Sequence, residues 1–268
     1  NREVPAPIWQ NRDFPVIAGW DLSGTVAEAA GGFAAGDDVY GGVRFPHFAG
    51  TCAEFATAPA AHLSLKPQNI DHLHAAGVPL AALTAWQAIE AGGLKSGQTA
   101  LIHAAAGGVG LILTQMAKMA GAFVIATVST EAKAELARAA GADEVILYSK
   151  QDFEAEVKRI TSDAGVNVVY DSVGKSTFEK SIDCLKPRGY MVLYGNASGP
   201  VAEFNPAILG TKGSLFLTRP TLFAYTADRE SLEWRSGDVF NWIDEGKLKL
   251  RVEHFFPLSE VRAAHSAL

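Results

Sequence analysis

At 268 residues the chain can bury a large core and, by the usual size of domains, should divide into two. Hydrophobic residues at 48% and charged residues at 19% exclude a disordered chain, and a formal charge of −6 without any basic run excludes a general binder of nucleic-acid backbones. Cys52 and Cys184, far apart and in no CxxC pair, exclude a disulfide scaffold and a thiolate zinc site; no apolar run approaches the ~20 residues of a membrane span.

The opening segment NREVPAPIWQ is not a signal peptide, so a reducing, cytoplasmic setting is expected. It also lacks an initiating Met, which implies a start inside a longer protein. Glycines and short strand-like runs at 16–26, 38–43 and 52–57 mark a small β-rich domain. A boundary is expected near 79–84, followed by a helix over 83–91. From there the pattern alternates as a doubly wound α/β domain should. Strands are predicted over 99–103, 123–128, 144–148, 166–170, 189–194 and 214–218, with helices over 107–120, 131–140, 153–161 and 176–185 between them. Six strands with intervening helices match the Rossmann count. Residues 221–268 read as helical stretches with a strand-like run at 248–252. The expected division is therefore a Rossmann dinucleotide-binding domain over 83–220 and a smaller β-rich domain from 1–82 and 221–268.

Leu101-Ile-His-Ala-Ala-Ala-Gly-Gly-Val-Gly110 follows a predicted strand and opens a helix, the context that a dinucleotide fingerprint requires. In a G-x-G-x-x-G frame, Gly110 is the third glycine, Gly107 the second, and Ala105 stands at the first. Gly107 would let the backbone approach a pyrophosphate, and Gly110 would let helix and strand pack closely. The free N–H groups of the helix start suit an anion. Enzymes that use NAD carry an acid about 20 residues further on, at the end of the second strand. Here Thr127-Val-Ser-Thr-Glu-Ala-Lys133 places Ser129 there with a cation four residues on, which suits the 2′-phosphate of NADPH. Glu131 is a nearby acid, and Ser129 or Thr130 could equally cap the next helix.

These segments resemble the zinc-free quinone oxidoreductase (zeta-crystallin-like) branch of the medium-chain dehydrogenase/reductase superfamily. Leu83-Thr-Ala-Trp86, the glycine motif and Thr127–Lys133 carry the likeness. So do Val168-Val-Tyr-Asp-Ser-Val-Gly174, Ser181–Gly189, Tyr194-Gly-Asn-Ala-Ser-Gly199 and Gly213–Pro220. Ile17-Ala-Gly-Trp-Asp-Leu-Ser-Gly24 and Gly36-Asp-Asp-Val-Tyr40 resemble the superfamily's GroES-like domain.

The resemblance implies that Thr84, Ala106, Gly107, Gly108 and Val109 line the nicotinamide and pyrophosphate of NADPH. It implies that Ser129, Thr130, Lys133 and Tyr148 hold the adenosine end with its 2′-phosphate. Tyr194, Gly195, Asn196 and Ser198 would form a loop facing the nicotinamide, with Thr218 and Arg219 ending the sixth strand nearby. Zinc-containing relatives have Gly-His-Glu where this chain has Gly19-Trp20-Asp21, and no set of three zinc ligands is legible. Relatives carry several strands before the segment aligned with Asn1 and a final strand after Leu268. The smaller domain is thus expected to be incomplete at both ends, in a shortened protein or a piece of a longer one.

Without a Lewis acid, the implied acceptors are those that a hydride attacks directly: quinones, or carbon–carbon double bonds conjugated to a carbonyl (enones, 2-haloacrylates). A non-catalytic, crystallin-like NADPH binder is the reading from a different class. An RNA-binding role, also raised by the family, is disfavoured by the charge. A homodimer joined at the sixth-strand edge is implied. Candidate donors near the chemistry are Tyr225, Arg219 and Tyr40, although Tyr40 could be a packing aromatic and Arg219 a structural ion pair. His103 is expected to bond backbone within the sheet rather than touch cofactor, and Asp171 lies near the cleft or caps a turn. Cys52 and Trp86 are read as packing residues, and the His72/His74 pair as solvated rather than metal-binding.

Overall fold

The computed structural model describes residues 16–43 and 50–267; the opening decapeptide lies outside them. Two compact units emerge. One comprises Ala81–Ala227 with Asn241–Lys249, the other the chain up to Leu80 with Asp228–Phe240 and Leu250–Leu268.

The larger unit is a parallel sheet of β4 (Thr99–Ile102), β5 (Phe123–Val128), β6 (Glu144–Leu147), β7 (Val166–Asp171), β8 (Leu185–Leu193) and β9 (Phe216–Thr218), while β1–β3 lie in the other unit. Their spatial order is β6-β5-β4-β7-β8-β9. The strands are nearly continuous apolar runs, as a sheet covered on both faces requires. Leu101, Ile125, Ile146, Val169 and Met191, one from each of five strands, share a single core cluster.

Helices connect the strands in sequence, and local capping sets where several of them start. Helix α1 (His72–Ala76) belongs to the smaller unit, and α2 (Leu83–Gly92) leads into β4. α3 (Gly108–Met119) follows β4 and α4 (Glu131–Ala139) follows β5; Thr130 caps the latter by accepting from the Lys133 N–H. α5 (Phe153–Ile160) is capped by Asp152, which accepts from Glu154 and Ala155. α6 (Phe178–Asp183) follows β7, α7 (Ala207–Thr211) follows β8, and α8 (Leu222–Tyr225) follows β9. Residues 221–227 and 241–249, assigned by the sequence pattern to the smaller domain, join the larger unit: α8 packs on α2 there.

The strand expected over 248–252 is absent among the described residues, for a specific reason. The Gln115 amide takes the place of a partner strand, donating to the Lys249 carbonyl (3.1 Å) and accepting from its N–H (2.8 Å).

In the smaller unit β1 (Asp21–Thr25), β2 (Asp38–Gly42) and β3 (Ser64–Leu65) form an antiparallel sheet. The run at 52–57 is not a strand; its Phe55 is 80% exposed. Helices α9 (Arg229–Asp244) and α10 (Val261–Ala267) complete the described elements. The His72/His74 pair is half-exposed but not simply solvated. His72 bonds Ser23 Oγ (2.8 Å) and faces Asp38 (3.3 Å), whereas His74 bonds Asp71 (2.8 Å). Each ring thus answers to a different carboxylate.

Asp21 opens β1, and its Oδ1 accepts from the Leu80 N–H at 3.0 Å. Burial pushes its carboxyl up to about 7, opposed by that hydrogen bond. A carboxyl raised above its unfolded value contributes stability that is complete in acid and lost as pH rises through about 7. Asp21→Asn keeps the acceptor without the charge. It should unfold on the order of 2–4 °C above the parent at pH 8.5 and close to it at pH 4, by thermal denaturation.

Candidate functional site

The site is built on the carboxyl edge of the parallel sheet. After β4 the chain turns at Ala104, a non-glycine residue at φ +51°, and Gly107 becomes the N-cap of α3 without any side-chain cap. The turn is held by bonds from Gly107 N to Ala104 O (2.9 Å) and from Ala105 N to Thr127 O (3.2 Å). Gly107 and Gly108 are exposed, with Ala106 and Val109 half-buried beside them. The first-turn N–H groups therefore face outward at the positive end of the helix dipole. A Cβ on Gly110 would lie 2.3 Å from Ala104 O and 2.7 Å from Ala105 Cα, so only glycine lets α3 start this close to β4. Buried Ala105 occupies the first fingerprint position. An exposed helix start with open N–H groups above a backbone that admits no Cβ fits a pyrophosphate.

At the neighbouring ends of β5 and β6, Ser129, Thr130, Lys133 and Tyr148 come together. Val128 pairs with Leu147, the Tyr148 N–H donates to Val128 O (3.1 Å), and Ser149 Oγ donates to Ser129 O (2.8 Å). Tyr148 is 53% exposed. Among the described residues the Lys133 ammonium makes no ion pair, whereas Glu131 is paired with Arg138 at 3.1 Å. A cation with no ion pair among the described residues, on the helix turn that Ser129 and Thr130 open, with Glu131 already engaged by Arg138, fits a ribose 2′-phosphate better than ribose hydroxyls.

The loops after β7 and β8 are joined to each other. Asp171, fully buried, accepts from Val173 N (2.7 Å), Gly174 N (3.0 Å) and Thr177 Oγ1 (2.7 Å). Its carboxylate is thus a turn cap. Its carbonyl accepts from Tyr194 and Gly195, and Ser172 O accepts from Ala197. Ser198 donates to Val173 O (2.8 Å) and accepts from Ser176 N (3.0 Å), so its hydroxyl braces the two loops. Burial pushes the Tyr194 phenol up to about 12, keeping it a neutral donor, and Asn196 is exposed at the loop tip. Arg219 follows β9, where Thr218 pairs with Val192, and donates to Leu193 O at 2.7 Å. Partial burial lowers the guanidinium's proton affinity while Asp171 raises it. Thr84 sits half-buried in the first turn of α2, the helix on which α8 with Tyr225 packs.

Two candidates take other roles. Tyr40 is 3% exposed in the smaller unit and stands edge-on to Phe240 with centroids 4.7 Å apart. Burial raises its phenol above the ordinary value, and its ring serves here as a packing aromatic against Phe240. His103 bonds hydroxyls, not the backbone carbonyls expected for its ring: Thr127 Oγ1 and Ser181 Oγ, both at 2.9 Å, with burial disfavouring its charged form. Sequence reasoning missed Ser149, Thr177 and Arg138. Only Arg138 carried a signal, seven residues and about two helical turns after Glu131.

Gly110→Ala should cost about 1–3 kcal/mol in urea unfolding, since its Cβ would meet backbone that cannot move aside. Gly108→Ala, whose Cβ would meet nothing within 4 Å, should stay within about 0.5 kcal/mol of the parent.

Comparison with known proteins places this geometry. The family model described as zinc-binding dehydrogenase matches residues 108–226, all within the parallel-sheet unit. A 2-haloacrylate reductase from Burkholderia sp is 41% identical over 270 residues, covering 98% of this chain and 80% of that protein. A quinone oxidoreductase from Pseudomonas aeruginosa is 45% identical over 203 residues, 75% of this chain but only 62% of that protein. The structure of Escherichia coli quinone oxidoreductase complexed with NADPH superposes with a TM-score of 0.87 at 38% identity, over 93% of this chain and 77% of that one. The six-stranded order, the glycine turn and these likenesses agree, and the chain belongs to the quinone oxidoreductase branch of the medium-chain dehydrogenase/reductase superfamily.

Proposed function

We propose that the protein is an NADPH-dependent oxidoreductase that reduces quinones by hydride transfer. The observation that carries this reading is the pair of anion-ready positions on one sheet edge: the open start of α3 and, beside it, Ser129 and Thr130 with the unpaired Lys133. Two such positions suit a dinucleotide that bears a third phosphate. Reduction of activated carbon–carbon double bonds is the second reading, favoured by the likeness to a 2-haloacrylate reductase along 98% of the chain.

When bound, NADPH supplies the hydride, and the protein supplies position and electrostatics. Gly108 and Val109 would hold the pyrophosphate through backbone N–H groups, and Gly107, whose own N–H is bonded to Ala104 O, would let it approach the backbone. Ser129, Thr130, Lys133 and Tyr148 would hold the 2′-phosphate. Thr84, Ala106, Tyr194, Gly195, Asn196 and Thr218 would orient the nicotinamide, with Ser198 bracing the loop behind them. The bonds that join the β7 and β8 loops fix this surface beforehand, so little reorganisation accompanies the reaction. Arg219, held on Leu193 O, would stabilise negative charge on the acceptor oxygen, and Tyr225 would donate the proton. Both belong to the unit that carries the glycine turn.

Catalysis without a metal is part of this reading. Its support is Trp20 at the position of a zinc relative's His, and the lack, among the described residues, of any cluster of three His, Cys, Asp or Glu side chains able to hold a metal. Unpaired Cys52 and Cys184 suit the cytoplasm, and no helix of the described residues is long and apolar enough to cross a membrane. A homodimer through the β9 edge is favoured because β9 pairs only with β8 among the described strands and leaves Phe216 45% exposed, stacked on Tyr190.

Purified protein should oxidise NADPH in the presence of an ortho-quinone, faster than NADH, at a rate unchanged by a chelator. Lys133→Ala should lower kcat/KM for NADPH about tenfold and leave the value for NADH nearly unaltered. Turnover abolished by chelator would contradict the metal-free reading. Absence of turnover with either cofactor would contradict an enzymatic role.

A further inference from the structure

Helix α4 carries a charge arrangement that the proposed cofactor site does not itself require. Glu131 is its first residue, next to the Thr130 cap, and an acid there suits the helix dipole but opposes any phosphate bound at the same turn. The carboxylate is not left facing that turn alone. Arg138, two turns along the helix, reaches back so that Nη1 donates to Glu131 Oε1 at 3.1 Å. Both side chains are more than half exposed, so the pair adds little to stability. Lys133, between them in sequence, keeps its ammonium out of any ion pair among the described residues.

We propose that Arg138 is a specificity-determining residue: by pairing with Glu131 at the start of the helix it offsets the carboxylate's repulsion of a 2′-phosphate held at the Thr130 turn. The role rests on the NADPH reading of the site. Arg138 acts through Glu131 and is not itself a ligand of the phosphate. Its effect must therefore vanish when Glu131 is neutral, which a direct phosphate contact would not do.

The test is calorimetric titration of the protein, without turnover, by 2′,5′-ADP and by 5′-AMP. These probes differ only in the 2′-phosphate. Arg138→Gln should weaken 2′,5′-ADP about two- to fivefold, the range of exposed charge pairs, with 5′-AMP nearly unchanged. Glu131→Gln should bind 2′,5′-ADP at least as tightly as the parent. In the Glu131→Gln background, Arg138→Gln should have no further effect. Equal weakening by Arg138→Gln in both backgrounds would show a direct contact and overturn the proposal, as would no weakening in either. A parent protein that fails to prefer 2′,5′-ADP over 5′-AMP would instead overturn the NADPH reading, and the two failures are distinct.

Discussion

The turn from Ala104 to Gly110 is the constraint from which the rest of the larger unit follows. A parallel strand buried on both faces must hand over to a helix whose first N–H groups stay open to solvent. The backbone does this by placing Ala104 at positive φ and bringing the helix so close that one methyl on Gly110 would fall 2.3 Å from a carbonyl oxygen. Beneath the turn, a buried neutral His103 bridges Thr127 of β5 and Ser181 of α6 through its two ring nitrogens. An aliphatic residue there would leave two buried hydroxyls without their partner, a cost of about 1–3 kcal/mol each.

The same economy of backbone holds on the other side of the strand-order reversal, where β4 meets β7 and the connections change direction. Ligands of open α/β sheets bind outside the carboxyl ends of the strands at such a point. Asp171 is the residue that makes that end rigid. Its carboxylate closes the turn after β7 while its carbonyl receives the chain leaving β8, so one residue organises two loops. Gly195, where a Cβ would meet Ser172 O at 2.4 Å, sets how closely those loops can run.

Much of this was legible in the sequence because parallel strands and their helices declare themselves locally. The runs Phe123–Val128 and Glu131–Ala139 carry their own periodicity, and Thr130 its own cap. The glycine frame placed Gly107 and Gly110 by spacing alone. What remained hidden depends on groups distant in sequence. Asp171 could not be told from a cleft residue until Val173, Gly174 and Thr177 were seen around it. Tyr40 could not be told from a donor until Phe240, 200 positions away, was found against its ring. The strand expected over 248–252 had the right composition, and was pre-empted by a single glutamine side chain from α3.

Amide hydrogen exchange with and without NADPH would test the central claim most directly, because it reports on each loop of the sheet edge separately. Slower exchange is expected over 107–111, 129–133 and 194–198, with β1 and β2 unchanged. Protection confined to the smaller unit, or none at the glycine turn, would contradict the assignment of this edge as the dinucleotide site.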